Sequence, residues 1–209
     1  MDERSRIQTL ITILDDTYGQ LCWWDAPFDE IVIGAVLTQQ TRWENVQSAL
    51  ELLRAEGICT LHSILLADPT AIESCIRSTG FFRVKTARLI SLAEFIVKTY
   101  GTPEQLALIS TEELRRSLLT VNGVGEETAD SILCYGLFRE VFVIDAYTRR
   151  ICRCAGITGS RSEITSLFLE ELQHDNALLR SCHGQMVEYA KEYCTKKRCP
   201  GCRIQTLNG

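Results

Sequence analysis

Three things are scarce in this 209-residue chain. No run is apolar for long enough to cross a bilayer. The amino terminus reads Met1-Asp2-Glu3-Arg4-Ser5-Arg6, and the apolar stretch behind it is soon broken by Asp15 and Asp16. That pattern is neither a secretory signal nor a membrane span, so a cytoplasmic protein is expected. Positive charge is also in deficit: 22 Lys and Arg stand against 27 Asp and Glu, a formal net charge of −5. This speaks against a general binder of polyanions. Finally, strand patterning is nearly absent, with no low-complexity linker and no internal repeat. The one strand-like run is Val141-Phe142-Val143-Ile144.

What is present is helical spacing. Ile7, Leu10, Ile11 and Leu14 form one apolar stripe, Val46, Ala49, Leu50 and Leu53 a second, and Leu89, Leu92, Ala93 and Ile96 a third. Helix starts are marked at Asp68-Pro69 and at Ser110-Thr111-Glu112-Glu113, and Gly57, Gly80, Gly101 and Gly156 sit where helices should stop. About ten helices with short connections are predicted. The composition, 45% hydrophobic and 23% charged, is that of a globular protein. Ten cysteines are many. In a reducing compartment they should serve as core residues or metal ligands rather than disulfides. Basic residues gather in two places, Arg149, Arg150, Arg153 and Arg161, then Lys191, Lys196, Lys197, Arg198 and Arg203.

Two local motifs carry chemistry. In Leu118 to Asp130 a helix is predicted to end at Val121, a Gly123-Val124-Gly125 hairpin follows, and a second helix starts near Glu126. Such glycines permit unusual backbone angles and let amides approach a phosphate at a helix amino terminus. An ordinary interhelical turn has the same signature. Asp145 ends the apolar run and opens the next helix, where it can serve as an N-cap. A helix amino terminus also keeps a carboxylate ionised.

Hairpin, helix and Val-Ile-Asp together resemble the endonuclease III superfamily of helix-hairpin-helix DNA glycosylases, from about Trp23 to Cys202. The resemblance implies that Asp145 is the catalytic carboxylate, orienting or deprotonating a water and stabilising an oxocarbenium-like sugar. It also implies that Gly123, Val124 and Gly125 hold the DNA backbone. Bifunctional members carry a lysine in the second position after the hairpin, where its amine forms a Schiff base with the sugar. Here that position is Glu127, either a pocket residue or part of a solvated surface. A carboxylate forms no imine, so a monofunctional hydrolase is expected.

Trp23-Trp24, the segment Gly34 to Val46 with Trp43, Ser78-Thr79-Gly80-Phe81-Phe82 and His183-Gly184 are similar to the 3-methyladenine branch of that superfamily. There, aromatic rings sandwich an alkylated, often cationic purine. Trp23, Trp24 and Trp43 are the implied base-pocket residues. A glutamine at the Gln-Thr step fills the hole left by the flipped nucleotide; Gln40 is the candidate and Gln39 the alternative. The branch's pocket lysine is Gln185 here, which leaves the excised base open between alkylated purines, mismatched thymine or uracil, and oxidised bases.

Cys194-x4-Cys199-x2-Cys202 resembles the loop that holds a 4Fe–4S cluster in endonuclease III, shortened by two residues in its first gap. The fourth position is Asn208. Cys182, twelve residues before Cys194 on a predicted helix, would lie about 18 Å away. A cluster with another fourth ligand, a zinc site and a vestigial loop are the alternatives. Cys152 and Cys154, spaced by one, suit opposite sides of a helix, and His62, His174 and His183 read as structural.

The expected fold is all-α and two-lobed. A helical barrel at 21–140 holds the hairpin, and 1–20 plus 141–209 form the second lobe with the cysteine-rich loop. Double-stranded DNA bearing a damaged base is the expected partner, met by a monomer through local positive charge at Arg149, Arg153 and the lysines near the loop. In a prokaryote that would place the protein at the nucleoid. A bifunctional glycosylase/lyase for oxidised pyrimidines and a non-enzymatic hairpin DNA-binding protein are the rivals.

Overall fold

The computed structural model describes residues 2–208. The chain divides into two compact units, Met1–Asp25 with Phe138–Gly209, and Ala26–Leu137. Helix α1 (Glu3–Tyr18) opens the first. The second holds α2 (Phe28–Leu37), α3 (Trp43–Ala55), α4 (Leu61–Leu66), α5 (Pro69–Ile76), α6 (Phe82–Thr99), α7 (Pro103–Ala107), α8 (Thr111–Leu118) and α9 (Glu126–Ser131). Helices α10 (Ala146–Cys154), α11 (Arg161–Glu171) and α12 (Asn176–Tyr189) complete the first unit. Among the described residues there is no strand.

Local chemistry sets most of the helix ends. Asp68, Ser110 and Asp175 each accept a backbone N–H of the first turn they precede. Gly57, Gly80, Gly101 and Gly156 adopt φ between 69° and 76° where the preceding helix or turn stops. Helix α8 ends three residues earlier than the apolar pattern suggests, at Leu118 rather than Val121. Residues 119–124 are tight turns whose buried Val121 and Val124 mimic a continuing helix face.

The middle unit is built around α2. Its sequence is apolar on every side, so it must be sheathed on every side. Every residue from Glu30 to Leu37 is buried, and α3, α6, α9 and the π turn at Ile132–Gly136 pack around it. Gly136 is small because a Cβ there would stand 3.1 Å from Phe28 and 3.3 Å from Ile31. Glu30 tolerates burial because Arg54 meets it with two hydrogen bonds of 2.9 and 2.6 Å.

The other unit closes over Ile7, Leu10, Ile13 and Leu14 of α1 with Phe142, Ile151, Phe168, Leu179, Met186 and Tyr189. Phe142 and Phe168 stack at 4.3 Å. The run Val141–Ile144 is no strand. All four residues are buried, and the carbonyls of Val143 and Ile144 accept from the Thr148 hydroxyl and the Arg161 guanidinium rather than from a strand as the run delivers Asp145 to α10.

Candidate active site and cysteine cluster

The hairpin lies in the middle unit. Gly123 has φ +86°, and a Cβ there would meet Arg88 side-chain atoms at 2.5 Å, so this position demands glycine. Gly125 is different: its backbone is extended, its surroundings are open, and it precedes α9 as an exposed residue. Gln39 is pinned beneath the turn. Its Nε2 donates to Gly123 O and to Thr128 Oγ1, both at 3.0 Å, while Arg88 donates to its Oε1. Gln40, next in the chain, is exposed and sits in the left-handed region at φ +54°. The adjacent glutamines therefore face different tasks. A pocket of about 530 Å³ opens here, with Gln40, Phe81, Lys85, Arg88 and Glu127 on its walls. Phe81 is 66% exposed and, like Gln40, has positive φ, +47°. Lys85 is buried; its Nζ donates to Leu37 O and Thr79 O at 2.8 Å each, closing two chain ends. Glu127 is exposed, and Trp43 is half-buried at the start of α3.

Asp145 lies in the other unit, at the mouth of α10. One carboxylate oxygen caps that helix by accepting Thr148 N–H at 2.6 Å. The other stands 3.6 Å from His183 Nε2, on α12. Burial opposes ionisation, but the His183 imidazole and the Thr148 donors outweigh it, and the carboxyl is held below the usual carboxylate range. His183 in turn meets the Trp23 ring edge-on at 5.7 Å. Gly184 makes room: a Cβ there would lie 2.4 Å from Trp23 Cβ. Trp23 is half-buried, donates its indole N–H to Glu188 at 3.0 Å, and has Lys191 Nζ 5.8 Å from its ring centre. Burial also opposes the charge on Glu188, yet hydrogen bonds from Lys191 and Trp23 keep its carboxyl below the ordinary range. Trp24 is 6% exposed and stands perpendicular to Trp23, with ring centroids 6.2 Å apart. Gln185 turns away as well: fully buried, it donates to Asp15 and Gly19 O and ties α12 to α1. Arg149 is exposed on α10.

The terminal cysteines occupy the same unit. Cys194 lies in a π turn at Ala190–Thr195, Cys199 in a short 3-10 turn, and Cys202 just before the last turn. Cys194 and Cys202 pack against the unit's core, as does Cys154 at the end of α10. Tyr189 donates its hydroxyl to Cys202 Sγ at 3.6 Å and accepts Arg203 N–H at 3.0 Å. Burial raises the Cys194 thiol, and Cys154, Cys202 and Cys199 raise it further, while Arg150 lowers it. Cys154 is raised by burial and then by Cys202 and Cys199, with Arg150 and Arg153 opposing. Sequence spacing missed Cys154 because its neighbours lie some forty residues away in the chain. Among the described residues no three His, Cys, Asp or Glu side chains converge as the ligands of a single ion do.

Residues 33–174 match the family of HhH-GPD superfamily base excision DNA repair proteins. The chain belongs to that superfamily. A candidate DNA repair glycosylase of Methanocaldococcus jannaschii is 40% identical over 206 residues, spanning 95% of this chain and 94% of that one. Endonuclease III of Thermotoga maritima is 30% identical over 171 residues, 80% of this chain and 75% of the relative. Among solved structures, the H. pylori 3-methyladenine DNA glycosylase bound to 1,N6-ethenoadenine superposes with a TM-score of 0.77 at 29% identity, covering 92% of this chain and 98% of that one. An endonuclease III–DNA complex superposes with a TM-score of 0.80 at 20% identity over 99% and 95%, a likeness of fold.

The chain is thus a DNA glycosylase with an all-α endonuclease III-like fold. Within this glycosylase, the residues that sequence reading did not single out for the site are His183, Glu188 and Lys191. The His-Gly step was visible in the sequence, but its contact with Asp145 joins positions 38 residues apart.

Proposed function

We propose that this glycosylase hydrolyses the N-glycosidic bond of an alkylated, cationic purine in double-stranded DNA, without lyase chemistry, using Asp145 as its catalytic carboxylate. The observation that carries the reading is the chain of contacts from Asp145 through His183 to Trp23. A carboxylate held ionised stands one imidazole away from a half-buried indole, and a second ionised carboxylate, Glu188, holds that indole in place. Lys191 pairs with Glu188 at 2.8 Å, so the carboxylate left to act near the indole is Asp145, and an aromatic face on that side favours a positively charged base. Identity with the H. pylori 3-methyladenine glycosylase supports the same substrate class.

The chemistry follows from the charges. As the bond from C1′ to the base nitrogen breaks, its electron pair leaves with the base. A cationic alkylpurine departs neutral and needs no proton from the enzyme. Positive charge develops on the sugar, and Asp145 stabilises it. Water then adds to C1′ from the carboxylate side, and its proton passes to Asp145 and on to solvent. His183 positions the carboxylate. Glu127, in the first turn of α9 after the hairpin, cannot form an imine, which supports hydrolysis over strand cleavage. Exposed Gln40 and Phe81, both beside the hairpin pocket, suit contact with the opened duplex, since an amide can pair with an orphaned base and a ring can stack on one.

We infer as well that the terminal loop holds a 4Fe–4S cluster. Three thiols on consecutive short turns, Cys194, Cys199 and Cys202, support the reading, and Tyr189 already donates to the Cys202 sulfur. When bound, the group cross-links a segment that otherwise consists of short turns.

A panel of duplexes, each with one lesion, tests the function. Free base should appear from alkylated purines, and strands should stay whole until alkali is added. Release of thymine glycol with spontaneous nicking and a borohydride-trapped adduct would instead establish the bifunctional reading.

A further inference from the structure

The terminal loop supplies three thiols, and a 4Fe–4S cluster has four irons to ligate. We propose that Cys154, at the carboxyl end of α10, supplies the fourth thiolate. This rests on the reading that the loop binds an iron–sulfur cluster.

Placement carries the argument. Helix α10 packs directly on the turn at Ala190–Thr195, which contains Cys194, and on Arg203–Asn208, which begins next to Cys202. Cys154, Cys194 and Cys202 all pack, partly exposed, against the same apolar core. Arg150 lies one helical turn before Cys154, which places a cation on the same stretch of α10 where thiolates would accumulate negative charge.

The other cysteines are placed differently. Cys152 is two residues from Cys154, about 200° around the helix, and is 2% exposed within the core. Cys182 on α12 is 2% exposed within the core, as Cys152 is. A cubane binds its four thiolates at four separate irons, so they stand farther apart than the ligands of one zinc ion. The loop is therefore one side of a centre that is closed by a helix encoded forty residues earlier.

The full-length protein, purified without oxygen and reconstituted with iron and sulfide, should carry about four irons per chain with broad visible absorption. Cys154→Ala should lose the absorption and the iron, or retain only a three-iron form seen by electron paramagnetic resonance after oxidation. Cys152→Ala should keep the wild-type iron content. Cys154→Ser, which preserves shape, guards against misfolding: far-ultraviolet circular dichroism should remain helical while the absorption and resonance spectra change. Wild-type iron and spectra in both Cys154 variants would overturn the assignment and leave the cluster standing. An iron-free, colourless wild type would overturn the cluster reading itself, and base release would show independently whether the glycosylase reading survives.

Discussion

Asp145 performs two tasks that substitution can separate. It caps α10 by accepting the Thr148 amide, and its charge faces His183. Asparagine caps helices about as well as aspartate, whereas alanine in place of either costs about 1 kcal/mol. In a protein of this size that corresponds to roughly 2–4 °C in Tm. Asp145→Asn should therefore melt within about a degree or two of wild type. Asp145→Ala should melt a few degrees lower. Activity should not follow that order. Removing a positioned base costs about 10²–10⁴ in rate, and losing a preorganised electrostatic partner about 10²–10³. Both variants should then fall by about 10³ or more in single-turnover base release. Binding of lesion DNA should hold or tighten, because a negative charge near phosphate has gone. The assay is base release with enzyme in excess over a duplex containing one alkylated purine, beside a melting curve for each variant. An asparagine variant within tenfold of the wild-type rate would refute the catalytic assignment. So would rates that track Tm, since Asp145 would then be a cap and nothing more.

Gln39 and Gln40 should diverge just as clearly. Gln39→Ala leaves Arg88, Thr128 and Gly123 without their shared partner and should cost about 1–3 kcal/mol of stability. Gln40→Ala should leave Tm unchanged and weaken affinity for lesion duplex; the reverse pattern in melting and titration would sink the distinction. Gly184→Ala forces a methyl to within 2.4 Å of Trp23 Cβ. Overpacking of that kind should cost about 1–3 kcal/mol and raise KM for the lesion, and an unchanged KM would mean that Trp23 does not touch the base. Burial, with Arg88 next to it, pushes the Lys85 amine down to about 8. The unfolded chain then binds more protons than the folded one between about pH 8 and the ordinary lysine value near 10.4, so this group's contribution to stability rises with pH across that window. The stability advantage of wild type over Lys85→Met should widen from pH 7 to pH 10 in denaturant titrations, and a constant gap would count against it.

What was legible in the sequence was what acts over short spans. Caps such as Asp68 and Ser110, the glycines that end helices, and the hairpin with its demanding Gly123 depend on residues within a turn or two. Asp145 was legible because it both caps a helix and ends a distinctive apolar run. That run itself misled. Val141–Ile144 has strand composition, but strands need partners, and its side chains are buried by helices instead. The partners of Asp145 and Cys154 were invisible for a similar reason. His183 meets Asp145, and the final turns meet α10, only after the chain has folded back on that helix. Spacing within a motif says little about contacts made across such distances. Trp24 shows the opposite limit, since a base-facing and a core tryptophan look alike until burial is known.

Helix α10 is nine residues long, about 14 Å. Asp145 stands at one end and Cys154 at the other, so the helix works as a strut between a carboxylate and a sulfur. So short a helix is not stable alone, and its register depends on what grips it at each end. If Cys154 ligates a cluster as proposed, its loss would loosen the carboxyl-terminal grip, and the strut would pass that slack along its axis to the carboxylate. A glycosylase stripped of its iron would then still find and hold DNA through its hairpin, yet cut the glycosidic bond more slowly. Loss of metal would thus be read out as idling on DNA rather than as release from it.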